Sequence, residues 1–156
     1  MSVYRRFESE TLASFITTNT NERRPIFASK SACELLLRML YDVRRETGFL
    51  LLAFAVMPDH LHLILAPSEN RTLGQVVQLI KGRFARAYNQ NAGRSGSVWQ
   101  SRYHERTMRS EIALSRAIEY VDHNAVPARL VSEPQDYPWS SASGRFLTDL
   151  EQYLSG

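Results

Sequence analysis

Cysteine is nearly absent from this sequence, whose 156 residues include only Cys33. A single cysteine excludes a disulfide framework and a cysteine metal cluster, and it fits a reducing compartment. Long apolar runs are also lacking, because the longest, residues 49–57, suits a strand and is too short to span a membrane. The opening segment MSVYRRFESE has no apolar core, so we expect no signal peptide and a cytoplasmic protein.

Lysine is scarce as well: of 19 basic residues, all but Lys30 and Lys81 are arginines. The net charge is +3, yet residues 71–109 contain eight basic residues and one acidic residue, Glu105. Guanidinium groups bind phosphate oxygens through paired hydrogen bonds, so an arginine-rich, acid-poor segment favours a polyanionic partner such as nucleic acid. A solvated surface combined with a codon bias toward arginine is the alternative explanation.

The chain shows no internal repeat, low-complexity tract or linker, and its length suits one domain. We therefore predict a single domain over residues 1–156, with a core at about 4–131 and a C-terminal tail at 132–156. Hydrophobic periodicity and turn residues predict the element order β-α-β-β-α-β-α. The predicted strands are 11–20, 49–56, 60–66 and 98–108, the last with an irregular start, and the predicted helices are 31–45, 72–89 and 110–124.

This element order predicts an α+β fold, a ferredoxin-like antiparallel sheet (β-α-β-β-α-β) with two helices packed on one face. The opposite face is left for the third helix or for a ligand. Gly48 is expected to end the first helix, and Ser110 is expected to cap the third.

Two histidines, His60 and His62, stand one residue apart in the predicted strand 60–66. Side chains at positions i and i+2 of a strand point to the same face, so both imidazoles can reach one metal ion while Leu61 faces the core. The alternative is a pair of surface or hydrogen-bonded histidines without a metal.

The third predicted helix offers further candidates. Tyr120 and Asn124 are four residues apart, and Arg116 precedes Tyr120 by one turn, so all three share a helical face. An amide oxygen suits a hard divalent ion as a third ligand. If this face packs on the histidine face of the sheet, His60, His62 and Asn124 surround a metal and Tyr120 lies beside it. A tyrosine at such a position is otherwise an amphipathic core residue whose hydroxyl reaches water.

These residues fall in segments that resemble a known family. VMPDHLHLILAP resembles the HUH motif (histidine-hydrophobic-histidine) of the single-tyrosine DNA-processing transposases, and YRRF resembles the Tyr-Arg-Arg of one branch, the REP-associated tyrosine transposases. One departure is Ala125 after Asn124, where the family usually has proline, so the helix is free to run one residue further and shift Asn124. Other collinear segments that resemble the family are LIKGRFARAYN, SVWQSRYHERTMR, AIEYVDHNAVPARLV and DYPWSSASG.

The resemblance implies cleavage, rejoining and transposition of single-stranded DNA, with Tyr120 as a nucleophile on a third helix that lies across the free face of the sheet. It implies a 5′-phosphotyrosine intermediate and a divalent metal, Mg²⁺ or Mn²⁺, held by His60, His62 and Asn124. The implied partner is DNA with hairpins of palindromic repeats, at the nucleoid, and a monomer is favoured over a domain-swapped dimer. The candidate DNA-binding residues are Arg5, Arg6, Lys81, Arg83, Arg86, Arg102 and Arg116.

Three other functions use comparable residues. A non-catalytic single-stranded nucleic-acid-binding module reads bases with an aromatic cluster on the sheet, where this chain has imidazoles. A replication-initiator or relaxase-type HUH nickase shares the chemistry, but the Trp-Gln and Tyr-Arg-Arg segments favour the transposase branch. A histidine phosphoesterase needs a second His-x-Ser/Thr pair, which the sequence lacks.

Overall fold

The computed structural model describes residues 12–155, so Arg5 and Arg6 lie outside the described residues. Within that range a four-stranded antiparallel sheet has the order β2-β3-β1-β4, which confirms the predicted α+β, ferredoxin-like fold. The strands are β1 (Ser14–Asn19), β2 (Leu50–Met57), β3 (His60–Ala66) and β4 (His104–Thr107).

Four α-helices accompany the sheet within residues 12–155. No helix in this part of the chain is both long and apolar enough to cross a membrane. The helices are α1 (Lys30–Thr47), α2 (Leu73–Ala92), α3 (Glu111–His123) and α4 (Leu150–Ser155).

The two faces of the sheet pack against different helices. Leu61, Leu63 and Leu65 of β3 belong to a hydrophobic cluster with α1 and α2, whereas Ile64 belongs to a second cluster with α3. Because side chains alternate along a strand, His60 and His62 lie on the α3 face, as their spacing predicts.

Local sequence explains where α1 and α2 begin and end. Ser29 Oγ accepts a hydrogen bond from the backbone N–H of Ala32 at the start of α1, and Gly48 ends the helix in the left-handed region with φ 75°. Thr72 and Gln75 form a capping box at the start of α2, which uses two N–H groups that the helix leaves free.

The third helix packs on the histidine face of the sheet. Its Leu114, Ala117 and Val121 are buried in the second cluster, and its N-terminus is capped by Ser110, whose Oγ accepts from the N–H of Ala113 at 3.1 Å. The cap and the placement of this helix are therefore as predicted. The side of α3 that is not buried is free to face the site.

The fourth strand is shorter than predicted. Pairing with β1 covers His104–Thr107 and not the whole of residues 98–108. Trp99 still pairs with Thr20 in an isolated antiparallel bridge, and its indole is buried with its centroid 5.6 Å from that of Phe27 and 5.7 Å from that of Phe84. Between this bridge and the Thr17–His104 pair, residues 100–103 face only residues 18 and 19, so the extra residues bulge and the regular ladder resumes only at His104.

The predicted C-terminal tail packs along β2. Trp139 O accepts from the N–H of Val56 at 2.8 Å, and the N–H of Asp149 donates to Leu51 O at 2.7 Å. These bonds satisfy part of the outer edge of β2, whose unpaired N–H and C=O groups would otherwise be a template for association.

A bidentate ion pair ties this segment to α1. Arg44 Nε and Nη2 donate to Asp149 Oδ2 and Oδ1 at 2.8 and 2.6 Å, and the N–H of Leu51 donates to the same carboxylate at 2.9 Å. The Asp149 side chain is 5 % exposed, and the bond from Arg44 lowers the pKa of Asp149 below its usual value. The carboxylate therefore stabilises the fold as an anion, and this contribution is lost as the pH falls below about 4.

We expect Asp149→Asn to lower the free energy of unfolding by about 2–3 kcal/mol at pH 7, because Arg44 loses its charged partner. The gap between wild type and variant should narrow below about pH 4, where the wild-type carboxyl also becomes neutral. Urea denaturation across a pH series measures both. The control, Asp42→Asn, breaks an exposed pair with Arg45 and should cost less than about 0.5 kcal/mol. Equal losses for the two variants would contradict the role of Asp149.

Candidate active site

The two histidines of β3 face each other at the surface of the sheet. His60 Nε2 lies 3.1 Å from His62 Nε2, and the ring centroids are 4.7 Å apart. The pair sits directly after the two-residue turn Pro58-Asp59, so a rigid hairpin fixes both rings.

The Nδ1 atom of His60 is held by a carboxylate. It donates to Asp59 Oδ1 at 2.7 Å, and Arg23 Nε donates to Asp59 Oδ2 at 3.0 Å. Burial raises the pKa of Asp59, but the hydrogen bonds from Arg23 and His60 outweigh burial and lower the pKa overall. With an ionised acceptor at Nδ1, the proton of a neutral His60 ring stays there and Nε2 keeps a free lone pair.

The Nδ1 atom of His62 is held by the neighbouring strand. Thr17 is the register partner of His62 in the β1–β3 ladder, and its Oγ1 lies 2.9 Å from His62 Nδ1. His62 is 4 % exposed, and burial together with His60 lowers the pKa of His62 to about 3, although a side-chain hydrogen bond with Asn124 acts in the opposite direction. His62 is therefore neutral near pH 7, which is the form that binds metals.

The donor set fits a divalent metal. Two imidazole nitrogens that each bind one ion at about 2.1 Å are separated by about 3.0–3.4 Å, and the observed separation of the His60 and His62 Nε2 atoms is 3.1 Å. No group of three His, Cys, Asp or Glu side chains within residues 12–155 could hold a metal. The hydrogen bond to His62 places the amide of Asn124 at the pair, so Asn124 is the third side chain available for ligation.

Asn124 lies at the end of α3, where Ala125 follows it in place of the proline usual in the resembled family. Helix α3 ends at His123, and Asn124 retains helical dihedral angles (φ −56°, ψ −34°) at the C-cap. Ala125 is 3 % exposed and packs in the cluster beneath α3. Burial of this small side chain packs the end of the helix against the cluster, and α3 ends one residue before the predicted bound of 124.

Tyr120 lies beside the histidine pair and is open to solvent. Its ring centroid is 5.7 Å from that of His62 and 5.9 Å from that of Phe15, and the residue is 56 % exposed. The buried side of α3 fixes the helix, and the phenol projects from its other side. The sequence-based grouping of Tyr120 with His60, His62 and Asn124 therefore matches the geometry.

A cleft of about 610 Å³ opens next to Tyr120, between α3 and strands β1, β3 and β4. Among the predicted DNA-binding residues within 12–155, Arg116 is the one that lines it. The lining residues are Phe15, Thr17, His62, His104, Glu105, Arg106, Arg116 and Tyr120.

The predicted DNA-binding residues of α2 lie elsewhere. Lys81 donates to Gln100 O at 3.1 Å, and its burial lowers its pKa, so it holds the loop before β4 against α2. Arg83 pairs with Glu46 at 2.6 Å and, with Arg86, lines a groove of about 440 Å³. Because α2 packs on the other face of the sheet, the structure does not bring these side chains to the histidine pair. A DNA-binding role for them stays a prediction.

Arg102 is also separate from the cleft lining, since it lies exposed in the loop that precedes β4. Its DNA-binding role likewise stays a prediction.

Four residues that shape the site were not among the predicted site residues: Phe15, Thr17, Arg23 and Asp59. Phe15 and Thr17 are two residues apart on β1, as His60 and His62 are on β3, so each pair faces one side of the sheet. Once β1 and β3 are known to pair, this spacing indicates that Phe15 and Thr17 lie on the same face as the histidines. Arg23 has φ 54°, a left-handed conformation that nothing in its residue type indicates.

The fold and the site together define a class of protein. In this class, an antiparallel sheet carries two histidines on one face, and a helix that bears a tyrosine packs on that face. The chain belongs to the IS200-like transposases, because the family model described as "Transposase IS200 like" matches residues 10–124, well over half of the chain.

Two proteins and one solved structure that are similar to this chain indicate the branch of the family it resembles. The chain is 26 % identical over 142 residues to the REP-associated tyrosine transposase of Escherichia coli, which covers 90 % of this chain and 82 % of the relative. It is 31 % identical over 71 residues to the ISDra2 transposase TnpA of Deinococcus radiodurans, covering 42 % of this chain and 51 % of that one. A solved structure of a REP-associated tyrosine transposase bound to a REP hairpin superposes on this chain with a TM-score of 0.73 and a sequence identity of 22 %. The match covers 91 % of this chain and 88 % of the solved chain. The resemblance drawn from the sequence is confirmed.

The low pKa of His62 predicts a pH-dependent stability in the absence of metal. As the pH falls from 6.5, the unfolded chain takes up a proton that the folded His62 does not accept until the pH approaches 3, so acid favours unfolding. We expect wild type in chelator to lose about 2 kcal/mol more than His62→Gln between pH 6.5 and 4.5. Urea denaturation at several pH values measures the difference, and parallel curves for the two proteins would contradict a buried neutral His62.

Proposed function

We propose that this transposase cleaves and rejoins single-stranded DNA with Tyr120 as the nucleophile. The observation that supports this most directly is the position of Tyr120, with its ring centroid 5.7 Å from that of His62 at an open cleft. A half-exposed phenol beside a pair of oriented imidazoles is accessible to a DNA backbone in a way that a core tyrosine is not.

In the proposed reaction, Tyr120 Oη forms a bond to a backbone phosphorus and gives its phenolic proton to water. The bond from phosphorus to the 3′-oxygen breaks and the 3′-oxygen takes a proton from water, which gives a 5′-phosphotyrosine and a free 3′-hydroxyl with no net change in protons. Attack by a second 3′-hydroxyl on the phosphotyrosine restores a phosphodiester and returns Tyr120. Arg116, one helical turn before Tyr120 and in the lining of the same cleft, would bind the phosphate in this proposal.

His60, His62 and Asn124 are proposed to hold Mg²⁺ or Mn²⁺. When bound, such an ion supplies Lewis-acid activation of the phosphate. Two imidazole ligands suit Mn²⁺ more than they suit Mg²⁺, which prefers oxygen ligands. Asp59 and Thr17 hold the Nδ1 atoms, so both Nε2 atoms stay aimed at one point.

The proposed substrate is a hairpin formed by a palindromic repeat, which would place the protein at the nucleoid in the cytoplasm. The similar solved transposase is bound to a REP hairpin, and the similar protein from Escherichia coli is named for the same repeats. We propose that a monomer suffices, because Tyr120 reaches the histidine pair of its own chain without exchange of helices.

We expect Tyr120→Phe to abolish the covalent protein–DNA adduct, because phenylalanine has no hydroxyl to attack the phosphate. Incubation with a labelled single-stranded hairpin oligonucleotide and Mn²⁺, followed by denaturing gel electrophoresis, detects the adduct. Tyr88→Phe on α2, across the sheet, is the matched control and should form it at the wild-type rate. An adduct that persists in Tyr120→Phe would refute the nucleophile assignment, and unimpaired cleavage by His60→Ala/His62→Ala would refute the metal role.

Thr17→Val should weaken Mn²⁺ binding about tenfold, because it removes the hydrogen bond that orients His62. Titration of Mn²⁺ by electron paramagnetic resonance measures the affinity. Thr18→Val is the matched control on the same strand: its Oγ1 is buried and has no hydrogen-bond partner within residues 12–155, so the substitution should leave Mn²⁺ affinity unchanged. Equal affinities in both variants would show that Thr17 does not orient a ligand.

A further inference from the structure

The cleft beside Tyr120 has an arginine on each of two walls, Arg116 on α3 and Arg106 on β4. Ion pairs within residues 12–155 occupy other arginines, such as Arg44 with its carboxylate at 2.6 Å and Arg83 at 2.6 Å, but neither arginine of the cleft. Both guanidinium groups of the cleft are therefore available to an anion.

Arg106 is held in place by an aromatic ring. The β1–β4 register sets Arg106 opposite Phe15, and the guanidinium carbon lies 5.7 Å from the centroid of the Phe15 ring. A cation–π contact of this kind does not use the N–H groups of the guanidinium as hydrogen-bond donors to the ring edge, so they remain for an anion. A flexible surface arginine would lose more side-chain entropy on binding than one that is already ordered.

The same ring connects Arg106 to the site. The Phe15 centroid is 5.5 Å from that of His62 and 5.9 Å from that of Tyr120. The arginine is thus fixed on the β4 side of the tyrosine, across the cleft from Arg116. Glu105 is the one carboxylate among the lining residues, and His62 is neutral there, so the two arginines make the cleft positive overall.

We propose that Arg106, held over the Phe15 ring, binds a backbone phosphate of the single strand that enters this cleft, on the wall formed by β4 and not on the wall of α3 that carries Arg116. The inference rests on the proposed function and adds to it a strand path between β4 and α3. The planar fork of Arg106 would hold the strand through paired hydrogen bonds to phosphate oxygens, which are independent of base sequence.

Binding without cleavage tests the proposal. Fluorescence anisotropy of a fluorescein-labelled oligothymidylate is measured at several salt concentrations, with every variant made in the Tyr120→Phe background and in chelator. Each neutralised phosphate of a single strand contributes about 0.7 to the slope of log K against log salt. We expect Arg106→Gln to reduce the slope by about 0.7 and to weaken binding about tenfold at low salt.

Two further variants separate this role from general electrostatics. Arg38→Gln removes the same charge from the exposed side of α1, on the other face of the sheet, and should keep the wild-type slope. Arg106→Lys keeps the charge but loses the planar fork, so it should retain the slope and recover only part of the affinity.

The proposal is overturned if Arg106→Gln and Arg38→Gln have the same slope and affinity, or if the protein that carries Tyr120→Phe alone does not bind the oligonucleotide. Its failure is distinguishable from failure of the proposed function. A wild-type protein that binds the strand but never forms an adduct with Mn²⁺ would refute cleavage, while the salt slopes of the Arg106 variants would still decide the phosphate contact.

Discussion

The close approach of two imidazoles on one strand is the constraint on which the rest of the site depends. Their Nε2 atoms are 3.1 Å apart, a separation that is tolerated only if the rings are not both charged and if each ring is turned toward the same point. Burial keeps His62 neutral. Hydrogen bonds at the Nδ1 atoms, from His62 with Thr17 and from His60 to Asp59, hold the two rings in orientation. The helix that covers this face then adds Tyr120 and Asn124 around the pair.

The two faces of the sheet have different roles: one forms the larger hydrophobic core and the other carries the candidate active site. Helices α1 and α2 bury the leucine face of β3 and form the larger core, while the segment after α3 satisfies the edge of β2. Arg44 and Asp149 join these two parts through a buried carboxylate. On the histidine face, α3 and Tyr153 of α4 pack in one cluster, and a cleft remains between α3 and β4 beside Tyr120. This cleft is where the proposed function places the single strand.

Much of this was predictable because it depends on short-range periodicity. Alternation along β3 assigned His60 and His62 to one face, and the four-residue spacing in α3 placed Tyr120 with Asn124. The pairing of Thr17 with His62 was not predictable in the same way, because register between distant strands depends on the topology of the whole sheet. An irregular start of the fourth strand was expected, but its form, four residues opposite two between the Trp99–Thr20 bridge and His104, depends on pairing with a distant strand and was not predictable.

Peptide mapping of the protein–DNA adduct tests the central claim most directly. Wild-type protein is incubated with a single-stranded hairpin oligonucleotide and Mn²⁺, digested with nuclease and protease, and analysed by tandem mass spectrometry. A nucleotide linked through its 5′-phosphate to Tyr120 is the predicted result. A nucleotide on any other residue, or linkage through a 3′-phosphate, would contradict the proposed chemistry of this site.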